Sequence, residues 1–430
     1  MLRIVHYVTT KTMGSGYLTL WLAIQWLSSV RCYAPTTRLH PILTERNLRY
    51  RRFSVDGPTS LDSENTSTFV KPSKQQLLEN LARDFARLAE ARPPTPSADD
   101  SMSPVLVSAG SSYTRLWTHS TWQSHSRPPH IRYARHVLRW WSSSTARVIL
   151  PAVLIATAYA TVLCVLCRRF GWTGTVLAGI GSTSVLSILS APLALLLTLR
   201  ANASMTRLLE SRLQMGRMVL HARGLANILK IYLFDSNPYA CTLAIRHMAA
   251  FPWVIKVTLR GENPDRSLEV LKIMLGESSE DYKWAVAQNK LPVALTSRLR
   301  QLCSVALHQS PFVDAGVALM IEERIRELET VYGACQRIFT SPIPPTYSRH
   351  LSRVLTTWLL VTPMSLIASG LPTITVALTT TLGAYVLIGI DEVGMEIENA
   401  FALLPLQQLC GSAQNDIRDA FLTEMPTVGL

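Results

Sequence analysis

Long uncharged, apolar runs constrain this chain more than any other feature. Val148–Cys167 is 20 residues without a charge, bracketed by Arg147 and by Arg168-Arg169. Phe170–Leu199 is 30 more, ended by Arg200, and Val354–Ile390 is 37, bracketed by Arg353 and Asp391. A helix needs about 20 such residues to cross a bilayer. Gly370-Leu371-Pro372 breaks the last run near its middle, and Gly171 and Gly174 put the start of the second helix near Thr175. The sequence therefore predicts an all-α membrane protein with four spans in two pairs, about 148–167, 175–199, 354–369 and 372–390. Composition agrees: 17% of residues are charged, against roughly 25% in soluble domains.

The net charge of +13 is unevenly placed. Residues 1–140 hold 18 basic and 9 acidic side chains, most of the excess. A nucleic-acid-binding protein concentrates its basic surface on the folded domain, so no nucleic-acid partner is expected. Flanking charge orients the spans. Arg132, Arg135, Arg139 and Arg147 precede the first; Arg200, Arg207 and Arg212 follow the second; Arg349 and Arg353 precede the third. Only Arg168 and Arg169 lie on the other side. Both mature termini and the middle segment, about 200–347, are expected on the positive side, which is the stroma if the membrane belongs to a plastid. Ser236-Asn237-Pro238 and Gly261–Pro264 divide that middle segment into several helices.

The N-terminus reads as an address. Thr12–Val30 carries no charge, and its apolar centre, Tyr17–Leu27, has the length of a signal-peptide core, with cleavage between Cys32 and Tyr33. Residues 33–60 then hold Arg38, Arg46, Arg49, Arg51 and Arg52 with few acids, a transit-like composition. The tandem arrangement, with Tyr33-Ala34-Pro35 at the junction, resembles the bipartite presequences of algae with secondary plastids; an uncleaved anchor followed by a basic linker is the plainer alternative. Residues 61–130 are rich in Ser, Thr and Pro, and read as a mostly disordered linker. They contain one amphipathic helix candidate, Lys74–Arg92, striped by Leu77, Leu81, Phe85 and Leu88 and closed by Pro93-Pro94.

No Asp, Glu, Lys, Arg or His lies inside the four spans. Coupled pumps keep an ionisable residue at membrane depth, so a passive pathway is favoured. The second span offers small hydroxyls, among them Ser184, Ser187, Ser190 and Thr198, which suit either hydrogen bonding to an anion or close helix packing. Ala191, Leu195 and Leu199 recur every fourth residue; such a stripe faces lipid, a neighbour or a pore that gates by dewetting. Pro192 interrupts the same helix. Cys164 and Cys167 lack two further ligands for zinc and read as packing. Glu392 and Glu396, one turn apart, mimic an acid/base pair but read as contacts of the last span with its neighbours, and His350 as interfacial. No phosphate loop or nucleophile elbow is present, and no enzyme is expected.

Three blocks then carry a family resemblance. LALLLTLRANASMTRLLESRLQMGRMVLHARG (193–224) resembles the signature after the second span of bestrophin-like anion channels, with its pattern positions at Arg200, Asn202, Arg207, Glu210 and Arg217. SPIPPTYSRHLSRVLTTWLLVTPMSL (341–366) resembles the family's approach to the third span, and IGIDEVGMEIENAFALLPLQQLC (388–410) its exit from the fourth. The resemblance covers about Ile131–Asp419, within a channel domain drawn as 131–420, and is strongest to the voltage-dependent chloride channels of plant and algal thylakoids and their bacterial relatives.

The resemblance implies a homopentamer around one central pore in a plastid membrane, the thylakoid above all. It passes chloride passively and so adjusts membrane potential and the partition of proton motive force. It also implies a pore neck at Ala191, Leu195 and Leu199, pore-lining hydroxyls at Ser184, Ser187 and Thr198, and a vestibule in which Arg200 and Arg207 concentrate anions. Family members carry bulkier neck residues, and Tyr or Trp where this chain has Met205, Leu208 and Met215. Animal members clasp calcium after the fourth span; Glu396, Glu398 and Asn399 supply too few oxygens here, so no cofactor is expected. Glu392, Glu396 and Glu398 remain as a post-span acidic motif. A bicarbonate channel for carbon concentration, or a non-conducting helical membrane scaffold, are the alternatives.

Overall fold

The computed structural model describes residues 72–91, 116–126, 128–138, 143–171, 183–310 and 314–424. The expected signal and transit segments lie outside the described residues. Those described form helices α1 (Lys74–Glu90), α2 (His119–His125), α3 (Pro129–Leu138), α4 (Ser144–Phe170), α5 (Thr183–Ile228), α6 (Pro238–Arg260), α7 (Asp265–Leu275), α8 (Glu280–Val286), α9 (Leu291–His308), α10 (Ala315–Thr340), α11 (Pro345–Ala368), α12 (Thr373–Glu398), α13 (Ala400–Leu403) and α14 (Leu406–Leu422).

Among the described residues, α4, α5, α11 and α12 are the four helices long and apolar enough to cross a membrane. Their boundaries follow local chemistry. α4 ends at Gly171, whose φ of 69° is the left-handed cap that glycine adopts without strain. Gly370, φ 76°, turns the chain between α11 and α12. α4, α11 and α12 outrun the apolar runs they contain and α5 runs far past the end of its own, because backbone hydrogen bonding does not stop at the membrane edge; the expected start of the second span near Thr175 lies outside the described residues. α5 is the extreme case: its 46 residues measure about 69 Å at 1.5 Å per residue, over twice the ~30 Å hydrocarbon core. A π-turn, Leu229–Leu233, then closes it.

The span bundle is knitted by Ile149 and Val153 of α4, Leu193 and Leu197 of α5, Leu351 and Leu355 of α11, and Ala384 and Ile388 of α12. α11 and α12 pack directly as a hairpin, whereas α4 and α5 meet mainly through α12, which packs broadly on both. Polar ties cross the bundle: Thr157 and Thr381 hydroxyls lie 2.7 Å apart, Trp358 Nε1 donates to Ser190 Oγ at 2.9 Å, and Tyr347 OH donates to the Leu196 carbonyl at 2.5 Å.

The middle segment and the C-terminus form an extramembrane body around α6, which is buried along nearly its whole length. Asn237 caps α6 by accepting from Ala240 N at 3.0 Å, and Gly261, φ 63°, ends it. α9, α7, α14 and α1 pack around it, while α10 and α14 run along the outer half of α5. The expected breaks at 236–238 and 261–264 are the two ends of α6.

α1 lies where the amphipathic helix within the linker is expected, and it packs on the body. Its stripe, Leu77, Leu81, Phe85 and Leu88, is buried in the core of the body. Ser73 and Gln76 form a capping box at its start. Asp84 accepts from Arg246 at 2.6 Å, and Gln414 Nε2 donates to the Phe85 carbonyl at 3.3 Å. An amphipathic stripe alone does not reveal whether a surface waits for it; here α6, α7 and α14 supply one.

Candidate permeation path

α5 has two faces. Leu193, Leu197, Arg200 and Ser204 turn inward and are buried. Ala191, Leu195, Thr198, Leu199 and Asn202 are exposed on the protomer, Leu195 at 60% and Leu199 at 49%. The stripe expected at the neck therefore lies together on one open face. Thr198 Oγ1 donates back to the Ala194 carbonyl at 2.8 Å, and Ser187 is exposed on the same helix. Ser190 instead faces α11 through Trp358, a packing role. The side chain of Ser184 lies outside the described residues.

Arg200 requires a correction. It is only 2% exposed, so it offers no charge to a vestibule. Its Nη1 donates to Asp391 at 2.5 Å, and its Nη2 lies 3.8 Å from Glu398. The reason is rotational: one residue further along a helix is 100° round the axis, so the residue after exposed Leu199 points into the protomer. Gly394 of α12 lies flat against the Arg200 stem, where a Cβ would sit 3.5 Å from Cδ. Ser204 Oγ donates to the Gly394 carbonyl at 2.9 Å. α5 is thus pinned to the last span just past its exposed stripe.

The other pattern residues divide. Arg207 Nη2 donates to the Ile338 carbonyl at 2.7 Å and Nη1 to the Ser341 carbonyl; it caps the C-terminal end of α10, where a cation is favoured, instead of concentrating anions. Glu210 accepts from Arg337 of α10 at 2.5 Å. Asn202 and Arg217 are exposed on α5, as is Arg212. In the acidic motif, Glu398 Oε1 accepts from Ile343 N at 3.1 Å, holding the approach to α11. Glu396 is partly buried, and Glu392 lies on the same helix, turned by its spacing toward the same side. Among the described residues no three His, Cys, Asp or Glu side chains gather as metal ligands.

Sequence reading missed Asp391, Tyr347 and Trp358. Asp391 was visible only as the charge that ends the third apolar run; that position, at the edge of a span, is where a buried arginine finds its counter-charge.

Electrostatics in the body are structural. Lys256 and Glu262 pair at 2.8 Å, both buried, with Arg266 3.5 Å from the same carboxylate. Arg260 donates to the Phe401 and Leu404 carbonyls, tying the end of α6 to the turn after the last span. Burial pushes the Cys241, Cys335 and Cys410 thiols up to about 12 and lowers the affinity of His247 for a proton.

A voltage-dependent chloride channel 1, chloroplastic, of Arabidopsis thaliana is 26% identical over 318 residues, covering 72% of this chain and 73% of its own. A voltage-dependent anion channel-forming protein of Synechocystis is 27% identical over 310 residues, covering 70% and 94%. The fold resembles a crystal structure of a bacterial bestrophin homolog from Klebsiella pneumoniae, with a TM-score of 0.56 at 21% identity, covering 63% of this chain and 98% of that one. Residues 123–419 match the family described as Bacterial/Fungal Bestrophin protein, and with about two-thirds of its length inside that match the chain belongs to the bestrophin family.

Proposed function

We propose that five copies of this chain ring a pore lined by the open face of α5, and that chloride crosses a plastid membrane through it, down its electrochemical gradient. The observation that carries the reading is the exposed, uncharged stripe Ala191, Leu195 and Leu199 on a span whose opposite face is packed. Leucine rings of this kind form an apolar constriction that gates by dewetting. Thr198 and Ser187 add hydroxyl dipoles without charge, and exposed Arg212 and Arg217 further along α5 raise the local anion concentration. Chloroplastic and cyanobacterial anion channels among the relatives support both the ion class and the plastid. Family membership favours a channel over an enzyme. In a thylakoid, with termini in the stroma, this flow offsets the charge of pumped protons and shifts proton motive force from voltage to pH.

Bilayer recording of the purified protein under asymmetric potassium chloride tests this. A reversal potential near the chloride equilibrium value is expected, and replacing chloride with bicarbonate on one side ranks the two anions. A folded oligomer that carries no current at any voltage would overturn the channel reading in favour of a scaffold.

A further inference from the structure

α1 lies outside the stretch that matches the family, and its docking creates a cleft of about 630 Å³ against α6 and α7. Four cations line it from three separate helices: Arg83 and Arg87 of α1, Arg246 of α6 and Lys272 of α7. Arg83 and Arg87 are one turn apart and lie on one side of α1. Asp84 and Glu269 oppose them within the cleft, Asp84 taken up by Arg246 at 2.6 Å, and Lys272 pairs with Glu277 beside it at 2.7 Å, which leaves Arg83 and Arg87 as the cations without a carboxylate at hydrogen-bond distance. Arg83 donates to the neutral Asn80, and Arg87 comes no closer than 4.0 Å to Asp84. Arg246 Nε is buried and makes no hydrogen bond.

Guanidinium forks one turn apart match the oxygens of a phosphate group, which accepts paired, charge-assisted hydrogen bonds. Glu269 of α7, which also lines the cleft, is an acceptor suited to hydroxyls. We propose that this cleft binds a soluble, phosphate-bearing, hydroxylated metabolite of sugar-phosphate or nucleotide type, which bridges α1 to the body. The reading stands apart from the channel activity.

Position selects a soluble ligand over a lipid headgroup. From Arg200 at the membrane edge, α5 runs 28 residues to Ile228, about 42 Å. Lys74, at the start of α1, pairs with Asp235 beside that outer end at 2.8 Å. Arg246 is eight residues along α6 from Pro238, about 12 Å, which leaves it about 30 Å from the membrane edge.

Isothermal titration of the full-length protein with glucose 6-phosphate, ATP and inorganic phosphate, at constant ionic strength, tests the site. At least one phosphate ester is expected to bind and to raise the thermal midpoint. R83Q/R87Q should weaken that binding about tenfold or more, while hydrogen exchange shows Leu77–Leu88 still protected. A K272Q variant provides a second reading should the double variant release α1. The proposal is overturned if none of the three probes binds, if the variants bind them as the parent does, or if only vesicles containing phosphatidylglycerol show a dependence on Arg83 and Arg87.

Discussion

Replacing Asp391 with Asn removes the counter-charge of a buried arginine without changing the shape of the site. Arg200 is 2% exposed and its Nη1 lies 2.5 Å from the Asp391 carboxylate. Breaking a buried pair from one side costs about 3–5 kcal/mol, because a desolvated charge is left behind. Two features reduce that here. Asn still accepts one hydrogen bond, and Glu398, 3.8 Å away, remains as a second carboxylate. A hydrogen bond to a charged group contributes about 1.5–3 kcal/mol, so D391N should cost about 2–3 kcal/mol per protomer. Removing both partners, R200M/D391L, should cost less than the sum of R200M and D391L, since neither member of the pair is left charged without the other, and Glu398 keeps its hydrogen bond from Ile343 N. The assay is a double-mutant cycle on thermal unfolding of the purified protein in one detergent, followed by tryptophan fluorescence. Strict additivity, or a D391N variant as stable as the parent, would refute the idea that this pair holds α5 to α12.

Leu195→Thr, at an exposed position of the proposed neck, should leave stability within about 0.5 kcal/mol but raise single-channel conductance, since a hydroxyl ring wets the constriction. Phe85→Ala should cost about 3–5 kcal/mol by opening a cavity under α1, read as a lower unfolding midpoint and lost exchange protection at Leu77–Leu88. His247 titrates below its ordinary 6.5 because burial penalises the imidazolium. Its unfolded form therefore binds more protons, its contribution is complete above about pH 6.5, and stability falls as pH drops below that; the acid limb should be shallower in His247→Gln. Cys241, Cys335 and Cys410, with thiols pushed up to about 12, should resist maleimide at pH 7.5 until the protein unfolds.

What the sequence revealed, and what it hid, divides by range. Spans, the break at Gly370-Leu371-Pro372, the ends of α6 and the stripe of α1 are local patterns, set by periodicity and by residues that stop helices. The open face of α5 is also local, because four-residue spacing puts Ala191, Leu195 and Leu199 on one side. Pairings across the fold leave no such trace. Arg200 and Asp391 are 191 residues apart, and Arg246 and Asp84 are 162 apart. A family pattern marks Arg200 as important without saying which way it points, so a charge expected in a vestibule belongs to a buried clasp. The surface that receives α1 is assembled from α6, α7 and α14 and exists only after they fold.

α5 stays apolar on its open side well past the membrane. The exposed stripe does not stop at Arg200: Leu209, Leu213 and Leu220 continue it, Leu213 at 54% exposure, with Arg212, Arg217 and Arg223 interleaved. Leu213 lies 13 residues past Arg200, about 20 Å beyond the membrane edge, where no lipid covers it. Apolar rows facing water mark an interface, and a row on the helix proposed to line the pore is covered when copies of that helix stand around one axis. Leu213→Glu should therefore break the assembly. The variant should elute and weigh as smaller species by mass photometry, while its helical content matches the parent, because the side chain makes few contacts within its own protomer. Leu378→Glu is no substitute, since that residue lies in a membrane span. An L213E protein that stays at the parent's mass would show that the outer half of α5 faces solvent in the assembly and that the subunits meet elsewhere.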